Sequence, residues 1–502
     1  MKTKNPYSEN YVIGLDCSTT SVKAIVYDKL GKVAAHSSEP IPLSSPKPNY
    51  YEQDPNDWWG SVQKALLKVT TQIDPSKILA LAISNQRETF VALDKNGNTL
   101  RPAIIWLDER CKDEVEPFAK RIGHKKIHNI TGKPVDYAPV VYRLAWMKKH
   151  EPKLFNKIGM ICDVQAYLVW KLTGEFKTSW ASGDPLGLFD MKKKEWSPVI
   201  LKTLGLKDNQ LPVVYPSGSL FGKINSDSSK KTGLSINTNI TAGGGDGQCS
   251  GLGSNVLSSN RAYLNLGTAV VAGIFSQKYK VNYAFRTMSS CCESGYYYEC
   301  SLRAGTFAID WFIKNILKID AKKQSSIYKQ LEKEAENISP GCEGLLFLPY
   351  LCGVMNPYWD INASGAFIGL STSHTRGHMY RSILEGIALE QLLALSEVEY
   401  ITHTKIKEVV VIGGGAINDL WVKILADVTN KDLIFPANTE ASSLGAAIAA
   451  GVSIGWYKSA RGAASKMVGV KKIIKPDKQN HNKYLDKYKT YKKLYLALKN
   501  VI

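Results

Sequence analysis

Nowhere among its 502 residues does the sequence hold the roughly 18 uninterrupted apolar residues that a membrane-spanning helix requires. Residues 1–10 carry no apolar segment of the signal-peptide kind either. The expectation is a cytoplasmic protein without a membrane partner. Cysteine is sparse: nine residues lack paired spacing, so free thiols are expected in place of a disulfide framework. No His or Cys cluster has zinc-ligand spacing, and no structural metal is expected. Low-complexity stretches are absent, as is the Gly-x-x-x-x-Gly-Lys spacing of a Walker phosphate loop. Acidic residues are outnumbered, 45 against 64 basic, for a formal charge of +19. The lysines are spread along the chain and densest near its end, where they read as a solvated face, so nucleic acid is not an expected partner.

What is present is ordinary globular composition, 44% apolar and 22% charged, in a chain longer than one core normally supports. Two sizeable domains with a cleft between them follow, divided as residues 1–254 and 255–502. Alternating apolar runs and turns predict a strand at residues 11–15, a hydroxyl-rich turn, and strands at residues 22–27 and 33–35. The same strand-turn-strand device recurs at residues 262–266 and 269–275. Helical spacing marks residues 57–69, 143–150 and 379–398, and a strand at residues 409–412 runs into three glycines. The fold class is therefore α/β. In the tail, Tyr484, Tyr488, Tyr491, Tyr495 and Leu498 share one helical face with lysines opposite, which is packing amphipathicity.

Phosphoryl transfer needs donors around the phosphates, carboxylates to hold Mg2+, and a base beside the attacking hydroxyl. Asp16 ends an apolar strand and is followed by Ser18, Thr19, Thr20, Ser21 and Lys23, although an ordinary polar hairpin turn reads the same way. Gly243-Gly244-Gly245-Asp246-Gly247 places one carboxylate on a glycine-rich turn that admits an anionic ligand, or else forms a hinge. Gly413-Gly414-Gly415-Ala416 either admits a nucleotide base or merely turns the chain. Gln86-Arg87-Glu88-Thr89 sets an amide, a guanidinium and a carboxylate at a strand end, as a polyhydroxylated ligand requires. Trp106-Leu107-Asp108-Glu109-Arg110 adds an aromatic face and more carboxylates; the plainer reading of both is surface ion pairing, and of Trp106, core.

Together these residues resemble the FGGY carbohydrate kinases, from about Tyr11 to Tyr495. The most specific element is Gly365-Ala366-Phe367-Ile368-Gly369-Leu370, followed by His378-Met379 and Ser382-Ile383-Leu384-Glu385. Supporting it are Glu52-Gln53-Asp54-Pro55 with Trp58 and Trp59, Leu348-Pro349-Tyr350-Leu351, Leu266-Gly267-Thr268, and Glu440 to Ala447. The resemblance implies two actin-like, ribonuclease-H-like ATPase domains, the first holding the sugar and the second the nucleotide, and a family whose members are often dimers. It implies ATP and Mg2+, with Asp246 as catalytic base and Asp16 and Asp246 as the carboxylates near the metal. Thr19, Thr20, Ser21, Lys23, Gly267 and Thr268 would surround the phosphates, and Gly414, Gly415, Ala416 and Asn418 the adenosine. Gln86, Arg87, Glu88, Trp106, Asp108, Tyr137, Asp246 and Gln248 would meet the acceptor.

Departures bear on the acceptor. Gln86 to Thr89 looks like the glycerol kinase site, yet Gly247 follows Asp246 and leaves Gln248 one place late. Arg143 stands where a lysine is usual. Val354-Met355 and Ser364 replace charged residues expected near the cleft. The segment from Glu52 to Trp59 and the stretch from Trp146 to Gly174 resemble the xylulokinase branch, so a pentulose such as D-xylulose is the first reading, glycerol kinase the second. A non-catalytic sugar or nucleotide sensor is the alternative of another class.

Overall fold

The computed structural model describes residues 10–291 and 294–501. Residues 1–9, part of the segment read as free of a signal peptide, and the thiol of Cys292 lie outside them. The other eight cysteines are free thiols.

Two mixed sheets organise the chain. In the first, β1 (Tyr11–Cys17), β2 (Ser21–Tyr27) and β3 (Val33–Pro40) form an antiparallel meander. Beside β1 lies β4 (Ile78–Asn85), parallel to it, and β5 (Leu220–Lys223) and β6 (Asn239–Gly245) complete the order β5-β6-β4-β1-β2-β3. The second sheet contains β7 (Arg261–Leu266), β8 (Val270–Ser276), β9 (Arg286–Ser289), β10 (Tyr296–Leu302), β11 (Glu408–Ile412), β12 (Asp432–Pro436) and β13 (Val470–Ile474), in the order β9-β10-β8-β7-β11-β12-β13. Here β7-β8-β10 is the meander and β11 pairs parallel to β7. Apart from the edge strand β9, the second sheet repeats the first. This is the duplicated α/β plan, actin-like and ribonuclease-H-like, that the sequence resemblance implies.

The helices that position the site are α1 (Pro55–Thr70), α2 (Val140–His150), α3 (Val164–Thr173), α4 (Asp246–Gly253), α5 (Arg376–Thr402), α6 (Asp419–Thr429), α7 (Ala441–Ser453) and α8 (Lys478–Leu498). Helix α1 begins where Asp54 accepts from the Asn56 amide and Pro55 needs no donor partner. Strand alternation explains how helices cover both faces of the first sheet. Ile13, Leu15, Leu81 and Ile83 enter a core with α1 and α3, whereas Val12, Ala80 and Ala82 face the core shared with α4, α7 and the second sheet. Small residues on that side let the helices come close. A Cβ on Gly14 would lie 1.9 Å from the Ser443 carbonyl oxygen, and one on Gly445 would lie 1.9 Å from that of Cys249. Helices α4 and α7 thus pack almost backbone to backbone between the sheets. Residues 90–214 enclose a further core that includes α2.

Against the outer face of the second sheet pack α5, α6 and α8, and the tyrosine face of α8 is buried. Two of its hydroxyls find acids on α5: Tyr484 donates to Glu385 (2.9 Å) and Tyr491 to Glu390 (2.7 Å).

Two sequence expectations change. The run Gly243 to Gly245 is not a turn or hinge; it continues β6 and passes directly into α4, whose first residue is Asp246. Val354 and Met355 are buried, Val354 within the second-sheet core, so these apolar residues are packing, and only Ser364 is exposed.

Candidate active site

The ends of β1, β4 and β6 lie side by side, and so do those of β7 and β11, so both sheets present their loops at carboxyl ends, where open α/β sheets bind ligands. After β1 the chain turns tightly because the amide and hydroxyl of Ser18 both donate to the Ser21 carbonyl (3.0 and 2.9 Å). Thr20 is exposed on this turn, and Thr19 Oγ1 accepts from Trp106 Nε1 at 2.8 Å. Trp106 is therefore an exposed residue beside the β1–β2 turn, not core. Asp16 is buried beside Ser84, whose hydroxyl donates to it at 2.7 Å. Burial above all pushes the Asp16 carboxyl up to about 7, against the Ser84 hydrogen bond, and nearby Asp246 adds to the rise. Lys23, opposite Asp16 on β2, pairs across to Glu440 at 2.7 Å.

The charged residues predicted to meet the acceptor bind one another. Arg87 reaches Asp246 Oδ1 (3.0 Å) through Nε and Glu299 Oε2 (2.7 Å) through Nη1. Arg286 donates from Nε to the other Glu299 oxygen (2.7 Å) and from Nη1 to Glu88 (2.8 Å). Burial opposes ionisation of Glu299, but the two guanidinium groups hold it down to about 2. The side chains of Glu299 and Glu88 are 1% and 8% exposed, while Asp246 keeps 43%, so Asp246 is the open carboxylate of the network. Gly245 makes room for this: a Cβ there would lie 2.5 Å from the Arg87 side chain. Gln248 braces Arg87 from behind, accepting a long hydrogen bond (3.5 Å) while donating to the Ala181 carbonyl (2.9 Å).

Not every predicted contact faces the cleft. Gln86 is buried and donates to Gln53 (2.8 Å). Asp108 is buried with both oxygens taken by Arg110 and the Tyr51 amide. Both are scaffold for their neighbours. Tyr137 lies under Arg303, whose guanidinium is 4.8 Å from the ring centre and pairs with Asp136 at 2.8 Å. Arg286, Glu299 and Arg303 were missed by sequence reading. The available signal was a lone acid, Glu299, in the aromatic strand β10.

The turns predicted to meet the nucleotide are backbone structures. Gly267 and Thr268 are fixed by donation from Thr306 to the Gly267 carbonyl (2.9 Å) and from Gly305 to that of Thr268 (2.8 Å), and Thr268 is exposed. Residues Gly414–Ile417, with Ala416 among them, form one 3-10 turn after β11. Asn418 then caps α6, accepting from the Trp421 amide (2.8 Å) and donating to the Tyr380 hydroxyl (2.9 Å).

Asp16 and Asp246 offer carboxylate oxygens only. That donor set suits Mg2+, which characteristically takes one or two carboxylates together with substrate phosphates and water. No group of three or more candidate metal ligands occurs among the described residues, and none of their helices is long and apolar enough to cross a membrane.

Comparison with known proteins bears on the family and the fold. The models for the N-terminal and C-terminal domains of the FGGY family of carbohydrate kinases match residues 11–253 and 262–454. A xylulose kinase of Bacillus subtilis is 31% identical, covering 98% of each chain. Among solved structures, ligand-bound xylulose kinase from Lactobacillus acidophilus superposes with a TM-score of 0.92 at 25% identity, over 98% of this chain and 99% of that one. Gluconate kinase from the same organism gives 0.91 at 26%, over 98% of each.

Proposed function

Because the chain belongs to the FGGY family of carbohydrate kinases, an ATP-dependent group of sugar phosphotransferases, we propose that it phosphorylates a hydroxyl of a neutral pentulose such as D-xylulose. The observation that carries this reading is the single open carboxylate, Asp246, oriented by Arg87 at 3.0 Å within a buried charge network. Asp246 takes the proton of the acceptor hydroxyl as it attacks the γ-phosphorus of ATP in line, general-base help of the kind worth about 10² to 10⁴ in rate. Arg87 and Glu88 hold adjacent hydroxyls with the donor and acceptor capacity their ion pairs leave over, and Trp106 and Tyr137 wall the sugar carbons. Backbone and hydroxyl groups of Thr19, Thr20, Ser21, Gly267 and Thr268 cradle the phosphates, while the turn at Gly414, Gly415 and Ala416, ending at Asn418, receives the adenosine. Mg2+, held by Asp16 and Asp246, would neutralise phosphate charge.

The charge balance favours a neutral acceptor. Two guanidinium groups, Arg87 and Arg286, face three carboxylates, Asp246, Glu88 and Glu299, a sum of −1. Each cation of this network is already paired twice, so none is left for the carboxylate of an acid such as gluconate. The run Gln86-Arg87-Glu88-Thr89, with Arg87 beside Asp246, supports glycerol as the second reading. The division at residues 254 and 255 is supported by the end of α4 at Gly253 and the start of β7 at Arg261. A cytoplasmic dimer belongs to the same proposal.

The experiment is ADP release with ATP and Mg2+ over D-xylulose, D-ribulose, glycerol and gluconate, with Asp246→Asn as control. Turnover of a pentulose, lost in the variant, is expected. Strong turnover of glycerol alone would move the acceptor, and sugar-induced thermal stabilisation without ADP release would replace the kinase by a sensor.

A further inference from the structure

Arg143, on α2, is fully buried, and no ion pair compensates it among the described residues. Its partners are four main-chain carbonyls. Nη1 donates to Glu88 O (3.1 Å) and Ala138 O (2.7 Å), Nη2 to Trp106 O (3.0 Å) and Asp108 O (3.1 Å), and Nε to Asp108 O again (3.2 Å). A buried guanidinium is costly, and a hydrophobic side chain would fill the space more cheaply. What only the planar, multidentate fork supplies is simultaneous attachment to several diverging acceptors.

Those acceptors belong to three segments far apart in sequence: residue 88 after β4, residues 106–108, and residue 138. Each segment presents a residue read above as an acceptor contact, Glu88, Trp106 and Tyr137, with Asp108 of the middle segment spent on Arg110 and Tyr51. Glu88 moreover has φ of +46°, a left-handed backbone that a side chain disfavours and that surrounding contacts must impose. Arg143 holds its carbonyl while Arg286 holds its carboxylate.

We propose that Arg143 is a positioning residue that sets the acceptor pocket by tying the Glu88, Trp106 and Tyr137 segments to one another. It touches neither substrate, and the inference rests on the reading that these three residues meet the sugar. The second-sheet turns read as nucleotide contacts, Gly267-Thr268 and Gly414 to Asn418, stand outside its reach; the first-sheet turn touches the tied segments only where Thr19 Oγ1 accepts from Trp106.

Arg143→Lys tests this, because lysine retains the charge but concentrates three donors on one nitrogen that cannot span four carbonyls. Arg143→Met, of similar length and without donors, is the second variant. The expected result for Arg143→Lys is an acceptor KM raised about tenfold or more, the scale of one lost polar interaction, with the KM for ATP and the thermal shift given by ADP unchanged. The shift given by D-xylulose should shrink in parallel, and further in Arg143→Met. An unchanged acceptor KM, or equal losses for acceptor and ATP, would overturn the proposal. Should the wild-type chain turn over no acceptor, the kinase reading fails, and the sugar-induced thermal shift decides: a shift in wild type lost in Arg143→Lys upholds the role, and no difference rejects it.

Discussion

The proposed acceptor side and the proposed nucleotide side are made of different materials. Around Asp246 the groups are charged side chains locked to one another, mostly buried, and drawn from both sheets: Arg87 and Glu88 from the first, Arg286 and Glu299 from the second. Around Gly267, Thr268 and Gly414 they are main-chain turns, partly exposed, each held by hydrogen bonds a few residues away or by one neighbouring loop. On the proposed reading, backbone donors would recognise what every ATP has, phosphates and a flat base. A preset constellation of side chains would recognise the pattern of hydroxyls that differs from sugar to sugar, without waiting for the ligand to order it.

Substitutions that hit one side and spare the other sharpen this contrast. The largest effect belongs to Asp246→Asn, expected to lower kcat by about 10² to 10⁴ while the carbonyl oxygen of asparagine still accepts from Arg87 and the fold stays intact. Near-normal turnover would remove Asp246 from the mechanism. Next is Glu299→Gln, which leaves the buried Arg87 and Arg286 sharing two carboxylates. Removing one partner of a buried pair costs about 3–5 kcal/mol, so a lower denaturant midpoint and a raised acceptor KM should appear together. The pH signature follows from the sign: Glu299 is held at about 2, so its contribution is intact above the ordinary carboxylate range and disappears as pH falls toward 2. A variant as stable as wild type, with unaltered acceptor KM, would show that the network is not preset by Glu299.

Asp16 marks the border between the sides, and its carboxyl is raised to about 7. A protonated carboxyl cannot ligate Mg2+, so the Mg2+ concentration giving half-maximal rate should climb as pH drops below about 7, and Ser84→Ala, which removes a donor to the carboxylate, should move that rise to higher pH. A flat Mg2+ requirement from pH 6 to 8 would take Asp16 out of the metal site.

The same contrast decides what could be read from the sequence. Gly267-Thr268, Gly413 to Gly415 and the duplicated meander are local, because turn chemistry and strand alternation act over a few residues. The acceptor network is not local. Arg87 and Glu299 are 212 positions apart and Glu88 and Arg286 are 198 apart, so the sequence shows Arg87 and Glu88 but not the groups that hold them. Gln86 and Asp108 share the residue types of a sugar site, and only packing reveals that both are spent on Gln53, Arg110 and Tyr51. The glycines before Asp246 misled for a related reason: glycine marks close approach as well as turning, and here close approach of β6 to β4 and Arg87 is what the chain needs.

The smallest effect tests the nucleotide side by itself. Gly414 is exposed, and a Cβ built on it meets nothing within 4 Å, so a side chain there costs the unliganded protein no contact. Gly415 next to it could not serve, since its Cβ would lie 2.6 Å from the Trp421 ring. Gly414→Val should therefore leave the thermal midpoint and acceptor KM unchanged and raise the KM for ATP by a modest factor, on the order of the tenfold that 1.4 kcal/mol represents. A changed acceptor KM would mean that the two sides are not separable. An unchanged ATP KM would mean that the glycine turn after β11 only redirects the chain into α6, and that the adenosine is received elsewhere on the second sheet.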